Sequence, residues 1–288
     1  MTIVITGATG KLGRHVLQVL LERGVPAGEI VAAGRSIEKL EDSAAQGVRV
    51  AAMDYDDPDS VTAALAGATK VLLIASSEVG KDRPGQHRTV IEAAKAEGVE
   101  LLAYTSNANA EANKTILGVD HKATEAILAD AGVPYALLRN GYYFENWTDQ
   151  IQGTLAQGAL VASAGNGRVN AATRRDFAEA AVAVLLGEDQ AGKVYELGGD
   201  IAFTLNEFAE EITAVTGTPV IYKDLPPAEY VAMLTSVGVP EGFAQILADS
   251  DQGLARGDLL VEGNDLSNLI GRPTTTPAEA IRAAVTAA

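Results

Sequence analysis

The stretch IVITGATGKLGRH, residues 3–15, restricts the possible folds more than any other part of the chain. Ile3, Val4 and Ile5 make a short β-branched run, and beyond Lys11 the apolar residues Leu12, Val16, Val19 and Leu20 recur at helical spacing. Between strand and helix stand Gly7, Gly10 and Gly13, spaced three apart. Without Cβ atoms the chain can turn sharply and bring its backbone against a ligand, and the free N–H groups at a helix start favour an anion. The backbone of residues 8–11 is therefore expected to approach a pyrophosphate, with Gly13 letting the helix pack closely on the sheet. The plainer alternative is an ordinary strand-to-helix turn.

The glycine motif opens a longer alternation. Strands are expected at 30–34, 48–55, 70–76, 100–106 and 134–141, and helices at 37–46, 57–67, 88–99 and 121–133. Asp57 followed by Pro58 marks one helix start, and KVLLIAS at 70–76 is a continuous apolar run suited to a strand covered on both faces. The pattern predicts an α/β fold with a Rossmann-like doubly wound parallel sheet. After Gly141 the alternation loosens into helices at 174–188 and 205–217, strands at 193–200 and 218–225, and short helices at 227–238 and 242–253. The expected organisation is an NAD(P)-binding Rossmann domain over 1–150 and a smaller mixed C-terminal, substrate-binding lobe over 151–288. No Pro/Gly/Ser-rich linker separates them, so the boundary is soft and the chain is free to cross back into the sheet.

Composition removes several functions. A formal charge of −16 leaves no basic excess for nucleic acid or an anionic membrane. The absence of cysteine excludes disulfides, thiolate metal sites and cysteine nucleophiles. His15, His87 and His121 lie in unrelated segments without ligand spacing, so no metal is expected. No G-x-S-x-G elbow supports a serine hydrolase, and no apolar run approaches the ~18 residues of a membrane span. A cytoplasmic protein is the expectation.

The identity of the dinucleotide is written at the end of the second strand, where a carboxylate accepts from the ribose 2′-hydroxyl or a cation meets a 2′-phosphate. Arg35, with Ser36 beside it, stands there and points to NADP, unless it is a solvated surface arginine. Asp54, with Tyr55 adjacent, can accept from the adenine amino group or simply serve its loop.

With these pieces the sequence resembles the atypical short-chain dehydrogenase/reductase group, and within it the NmrA-like NAD(P)H:quinone oxidoreductases. The resemblance spans nearly the whole chain, through ITGATGKLG (5–13), GR (34–35), LLIASSEVG (72–80), QHRTVIEAAKAEGV (86–99), AYTS (103–106), LLRNGYYFEN (137–146), ATRRDFA (172–178), KVYELGGD (193–200) and LIGRPTTT (269–276). It implies that Gly7, Ala8, Thr9, Gly10, Lys11 and Leu12 line the pyrophosphate and that Arg35 meets the 2′-phosphate. Ser76, Ser77 and Glu78 would run past the cofactor near its nicotinamide half. Asn140, Gly141, Tyr142, Tyr143, Phe144 and Glu145 would bound the nicotinamide and substrate cleft, and Arg174 would reach the cofactor from the second lobe. Plainer roles stay open: Ser76 and Ser77 as caps, the three aromatics as core, and Arg174 and Arg175 as a helix start paired with Asp176.

Many short-chain dehydrogenases lower a tyrosine pKa with a lysine four residues later. None of the eight tyrosines here has that lysine, so an ordinary alcohol dehydrogenase mechanism is not expected. The resemblance offers Lys122 for acid–base work, as on this helix in some NmrA-like reductases. His121 can donate to a quinone oxygen or cap its helix, and Tyr142 can donate a hydrogen bond. Tyr104 and Ser106 are further polar candidates at the carboxyl edge of the sheet. Because a hydroquinone anion is far more stable than an alkoxide, orientation of the reactants can supply most of the catalysis. The expected function is NADPH-dependent reduction of a small-molecule quinone by hydride transfer without flavin. An NADP-binding sensor without turnover, or a reductase of an enone, imine or dye, remains open, as does the subunit count, a homodimer included.

Overall fold

The computed structural model describes residues 1–78 and 80–287. Its first part alternates as the patterning requires: β1 (Ile3–Ile5), α1 (Lys11–Glu22), β2 (Ile30–Gly34), α2 (Glu41–Ala45), β3 (Arg49–Ala52), α3 (Pro58–Leu65), β4 (Lys70–Leu73), α4 (Arg83–Glu97), β5 (Leu101–Asn107), α5 (Ile116–Ala131) and β6 (Tyr135–Asn140). After β6 come α6 (Glu145–Thr148), α7 (Ile151–Gln157), β7 (Ala159–Ala162), β8 (Arg168–Val169), α8 (Arg174–Leu186), β9 (Val194–Leu197), β10 (Phe203–Thr204), α9 (Leu205–Thr216), β11 (Ile221–Asp224), α10 (Pro227–Ser236), α11 (Glu241–Arg256), α12 (Asp265–Ile270) and α13 (Pro277–Ala287).

One seven-stranded sheet has the order β3-β2-β1-β4-β5-β6-β9. Ile3 aligns with Ile30 on one side and Lys70 on the other, and the pairings from β3 through β5 are parallel. β1 and β2 are buried along their whole length, which is why they read as apolar runs without alternation. The strand order reverses between β1 and β4, and the glycine loop leaves β1 at that switch point, where such sheets bind ligands. Two small sheets, β8 with β10 and β7 with β11, stand apart from the main one.

The chain forms two compact units interleaved in sequence: residues 1–106, 120–139 and 174–195 in the first, residues 107–119, 140–173 and 196–288 in the second. The division expected at residue 150 is therefore replaced by repeated crossings. α8 packs along α1, and Leu137 N–H donates to Lys193 O at 2.9 Å, which returns residues 174–195 to the main sheet. Residues 107–119 leave it, because the Asn109 side chain donates to Leu260 O at 2.8 Å inside the second unit. The core of the second unit is aromatic: Phe203 packs within 5.7 Å of Phe144 and 5.3 Å of Phe208, and Trp147 within 5.3 Å of Phe208, centroid to centroid.

Element boundaries differ from the expectations where caps act. α4 starts at Arg83 rather than 88, because the Asp82 side chain accepts from Gly85 N–H at 2.9 Å and Pro84 occupies the first turn. Residues 37–46 divide into a 3₁₀ turn and the short α2. No described helix is long and apolar enough to cross a membrane.

Candidate functional site

The glycine loop is held by contacts that exclude side chains. Gly7 has φ +60°, in the left-handed region. A Cβ on Gly13 would stand 2.5 Å from Gly7 O and 2.6 Å from Ala8 Cα, so the first turn of α1 rests directly on the loop backbone. Ala8 is fully buried and its N–H donates to Ala33 O at 2.9 Å, so it supports the loop from behind rather than lining it. α1 is preceded by Gly10 at its N-cap, which offers no side-chain cap, and has no acidic residue in its first turn, leaving N–H groups suited to an anion.

A groove of about 240 Å³ opens over this helix start, entirely within the first unit. Gly7, Thr9, Gly10, Lys11, Leu12, Arg35, Asp54, Ser76, Ser77 and Glu78 come together in its walls. Sequence reasoning did not place Gly34, Met53, Ile74 or Ala75 there, although the carboxyl end of β4 beside the loop was the signal for the last two. Tyr55, considered only as a neighbour of Asp54, braces the floor: its hydroxyl is 2.6 Å from Thr6 Oγ1 and donates to Ile74 O at 2.7 Å. Burial pushes that phenol well above its ordinary range. The Asp54 carboxylate lines the groove and also accepts from Asp56 N–H at 3.1 Å, so its loop role is real whatever it binds.

Charge gathers at the end of β2. Arg35 Nη1 donates to Glu78 Oε1 at 2.6 Å, while Glu78 Oε2 accepts from Gln86 Nε2 at 2.8 Å and Lys81 Nζ at 3.2 Å. Arg35 first, then Gln86 and Lys81, hold the Glu78 carboxyl at about 2. The ion pair sets Glu78 beside Arg35 at the end of β2. Ser76 is pinned from α4, its N–H donating to His87 Nε2 at 2.8 Å and its carbonyl accepting from Arg83 Nε at 2.7 Å. Since His87 Nε2 accepts, its Nδ1 carries the proton and donates to Thr124 Oγ1 at 2.8 Å. Burial lowers that imidazole to about 3 and keeps it neutral.

The proposed acid–base residues fall in separate surroundings. His121 is buried, with Nδ1 2.8 Å from the Tyr104 hydroxyl, and burial drives its pKa well below the ordinary value. It is therefore a neutral ring engaged with the core and does not act as an imidazolium donor. Lys122, one residue on and so turned about 100° around the helix, is exposed. Tyr104 is fully buried and Ser106 Oγ donates to Glu125 Oε1 at 2.5 Å, with Arg139 clamped on the same carboxylate, which removes both from the free polar edge expected for them.

Arg174 lies in the first unit, not the second lobe, because α8 packs on α1 and Arg175 closes on Glu22 and Glu179. Burial, then the Arg175, Arg174 and Arg14 charges, hold nearby His15 below its usual range.

Residues 140–145 belong to the second unit. Asn140 donates to Tyr143 Oη at 3.1 Å, while its buried Oδ1 has no hydrogen-bond donor among the described residues. Phe144 is core, and Tyr142 lies against Trp147 with centroids 4.7 Å apart. Burial, with Asp251 and Tyr230 adding, pushes the Tyr142 phenol upward, so it stays protonated.

Residues 7–188 match the family described as NAD(P)H-binding. The chain is 48% identical to quinone oxidoreductase 2 of Escherichia coli K12 over 97% of both proteins. It superposes on the structure of the NADPH-dependent quinone oxidoreductase from E. coli complexed with NADPH with a TM-score of 0.93 at 47% identity, covering 98% of this chain and 99% of that one. Against the Citrobacter triphenylmethane reductase complexed with NADP(H) the TM-score is 0.92 at 36% identity, covering 98% of this chain and 100% of that one.

Proposed function

We propose, from the premise that the chain belongs to the NAD(P)H-binding family, that it is an NADPH-dependent oxidoreductase that reduces quinones by hydride transfer without a flavin. The observation that carries the reading is the cradle at the head of α1, whose Gly7 takes a left-handed backbone conformation, whose Gly13 leaves no room for a side chain and whose first turn is uncapped, with the Arg35 cation at the end of β2. These residues fit a dinucleotide pyrophosphate and a 2′-phosphate. The 48% identity to a quinone oxidoreductase, with the same fold, supports the acceptor class.

The reduced nicotinamide, when bound, supplies the hydride. The loop backbone from Gly7 to Leu12 holds the pyrophosphate, Arg35 the 2′-phosphate and Asp54 the adenosine. Within the second unit Asn140 presents a buried acceptor and Tyr142 a phenol kept protonated by burial. No strong acid is needed, because the hydroquinone anion is a stable product. The net charge of −16 leaves no basic excess for nucleic acid or an anionic membrane and suits a small-molecule acceptor.

NADPH oxidation followed by its absorbance, with simple quinones and no added flavin, tests the reading. Turnover is expected; tight NADP binding without turnover would make the protein a sensor. A parallel assay with triphenylmethane dyes addresses a second acceptor class, favoured by the likeness to the Citrobacter reductase. Replacing Arg35 with Asp is expected to weaken NADPH about tenfold or more and NADH much less. Equal losses would remove Arg35 from the phosphate site.

A further inference from the structure

The guanidinium assigned to the 2′-phosphate already has an anionic partner within the protein. Glu78 shares its carboxylate between Arg35, at 2.6 Å, and Lys81, at 3.2 Å, the two cations at this end of the groove. Asp56 takes the other contact of Lys81 at 2.8 Å, and Asp54 lines the wall beside them. Two cations thus face three carboxylates. A phosphate monoester carrying about two negative charges would enter a cluster that is already net negative. Glu78 is the acid that both cations hold in common.

We propose that Glu78 is a specificity-determining residue of the groove: its carboxylate takes Nη1 of Arg35 and a contact of Lys81, so a 2′-phosphate competes with it for these cations, whereas a ribose bearing only hydroxyls does not. The proposal rests on the reading that Arg35 receives the phosphate. Displacement is sterically accessible, since the Arg35 and Lys81 side chains are each 52% exposed and that of Glu78 is 22% exposed. Gln86, which is buried, donates from Nε2 to Asp56 Oδ1 at 2.8 Å as well as to Glu78, so it keeps one of its two amide hydrogen bonds when Glu78 moves away. The Ser76 end of the segment stays anchored through His87 and Arg83. Lys81 loses its 3.2 Å contact with Glu78 and keeps the one to Asp56 at 2.8 Å. With its carboxyl held at about 2, Glu78 remains charged across the neutral range and the competition persists there.

Glu78→Gln and Arg35→Ala, made in the full chain and checked for unchanged melting, are titrated calorimetrically with NADPH, NADH, 2′,5′-ADP and 5′-AMP. Glu78→Gln is expected to tighten NADPH and 2′,5′-ADP about tenfold while moving NADH and 5′-AMP less than about twofold. If it weakens NADPH, Glu78 positions Arg35 instead of competing for it; if it tightens NADH equally, only general charge is involved. Either result overturns the proposal. Arg35→Ala separates the two levels. If it abolishes the NADPH/NADH difference while Glu78→Gln fails to enlarge it, the phosphate reading stands and the Glu78 proposal falls. If it leaves the difference intact, the reading of Arg35 falls and the proposal with it.

Discussion

Glu78, on the groove wall of the first unit, accepts from Arg35, Gln86 and Lys81 and is held at about 2, whereas Asp251, inside the second unit, accepts from the Ser163 backbone N–H at 2.8 Å and is pushed up to about 7. For Glu78 the cations and amide outweigh a small desolvation penalty. For Asp251 burial dominates, the Ser163 N–H offsets only part of it, and the Asp224 charge adds to the rise. Two carboxylates of nearly the same chemistry thus serve as a permanent anion in one unit and a titrating acid in the other. The contrast extends to their surroundings: the groove is built from backbone fit and partnered charge close to solvent, the second unit from buried aromatic packing.

The largest effect expected on that contrast is from Phe208→Ala, which empties the centre of the aromatic cluster and should lower stability in urea by about 3–5 kcal/mol. NADPH affinity measured where the variant is fully folded should stay within about twofold of the parent; a large loss there would show that the two regions do not behave separately. Gly13→Ala attacks the groove instead. Its Cβ would collide with Gly7 O and Ala8 Cα, so NADPH binding should fall by about a hundredfold, or about 2.7 kcal/mol, with a smaller change in melting. Affinity retained in a titration would mean that the loop backbone yields to the new methyl group, and that backbone fit does not govern the groove.

Asp251→Asn sharpens the comparison through pH. The folded pKa of about 7 lies above the ordinary aspartate value of 3.8, so the native state binds the extra proton and stability is fully present below about 4 and lost as pH rises through 7. The Asn variant should therefore be the more stable form at pH 8, by about 4 kcal/mol, and should flatten the slope of stability between pH 4 and 7. Glu78 has the opposite sign, its contribution being lost as pH falls through about 2. Urea melts across pH that show the same slope in the parent and in Asp251→Asn would refute a buried, protonated Asp251.

Much of the first unit was legible in the sequence because its signals are local. The glycine spacing, the apolar strand at residues 70–76 and the placement of Arg35 one residue past β2 all depend on the nearby backbone, and Gly7, Gly10, Gly13 and Arg35 line one groove. What was not legible joins distant positions. Tyr55 reaches Thr6 across 49 residues, Ser106 is consumed by Glu125, and Tyr104 points into the core to meet His121. No spacing rule reports such pairs. Arg174 read as part of a second lobe because residues 151–288 look like one block, while the return of α8 to α1 is a matter of packing.

By itself the sequence determined that a strand would turn through Gly7, Gly10 and Gly13 into an uncapped helix start, with a cation placed at the end of the next strand, because backbone freedom and periodicity act over a few residues. Only the tertiary structure decided that Glu78 would hold that cation, that His87 would be neutral beneath Ser76, and that Asp251 would be buried within the second unit. Burial and charge pairing are set by which distant side chains meet, and they fix the state in which each group works.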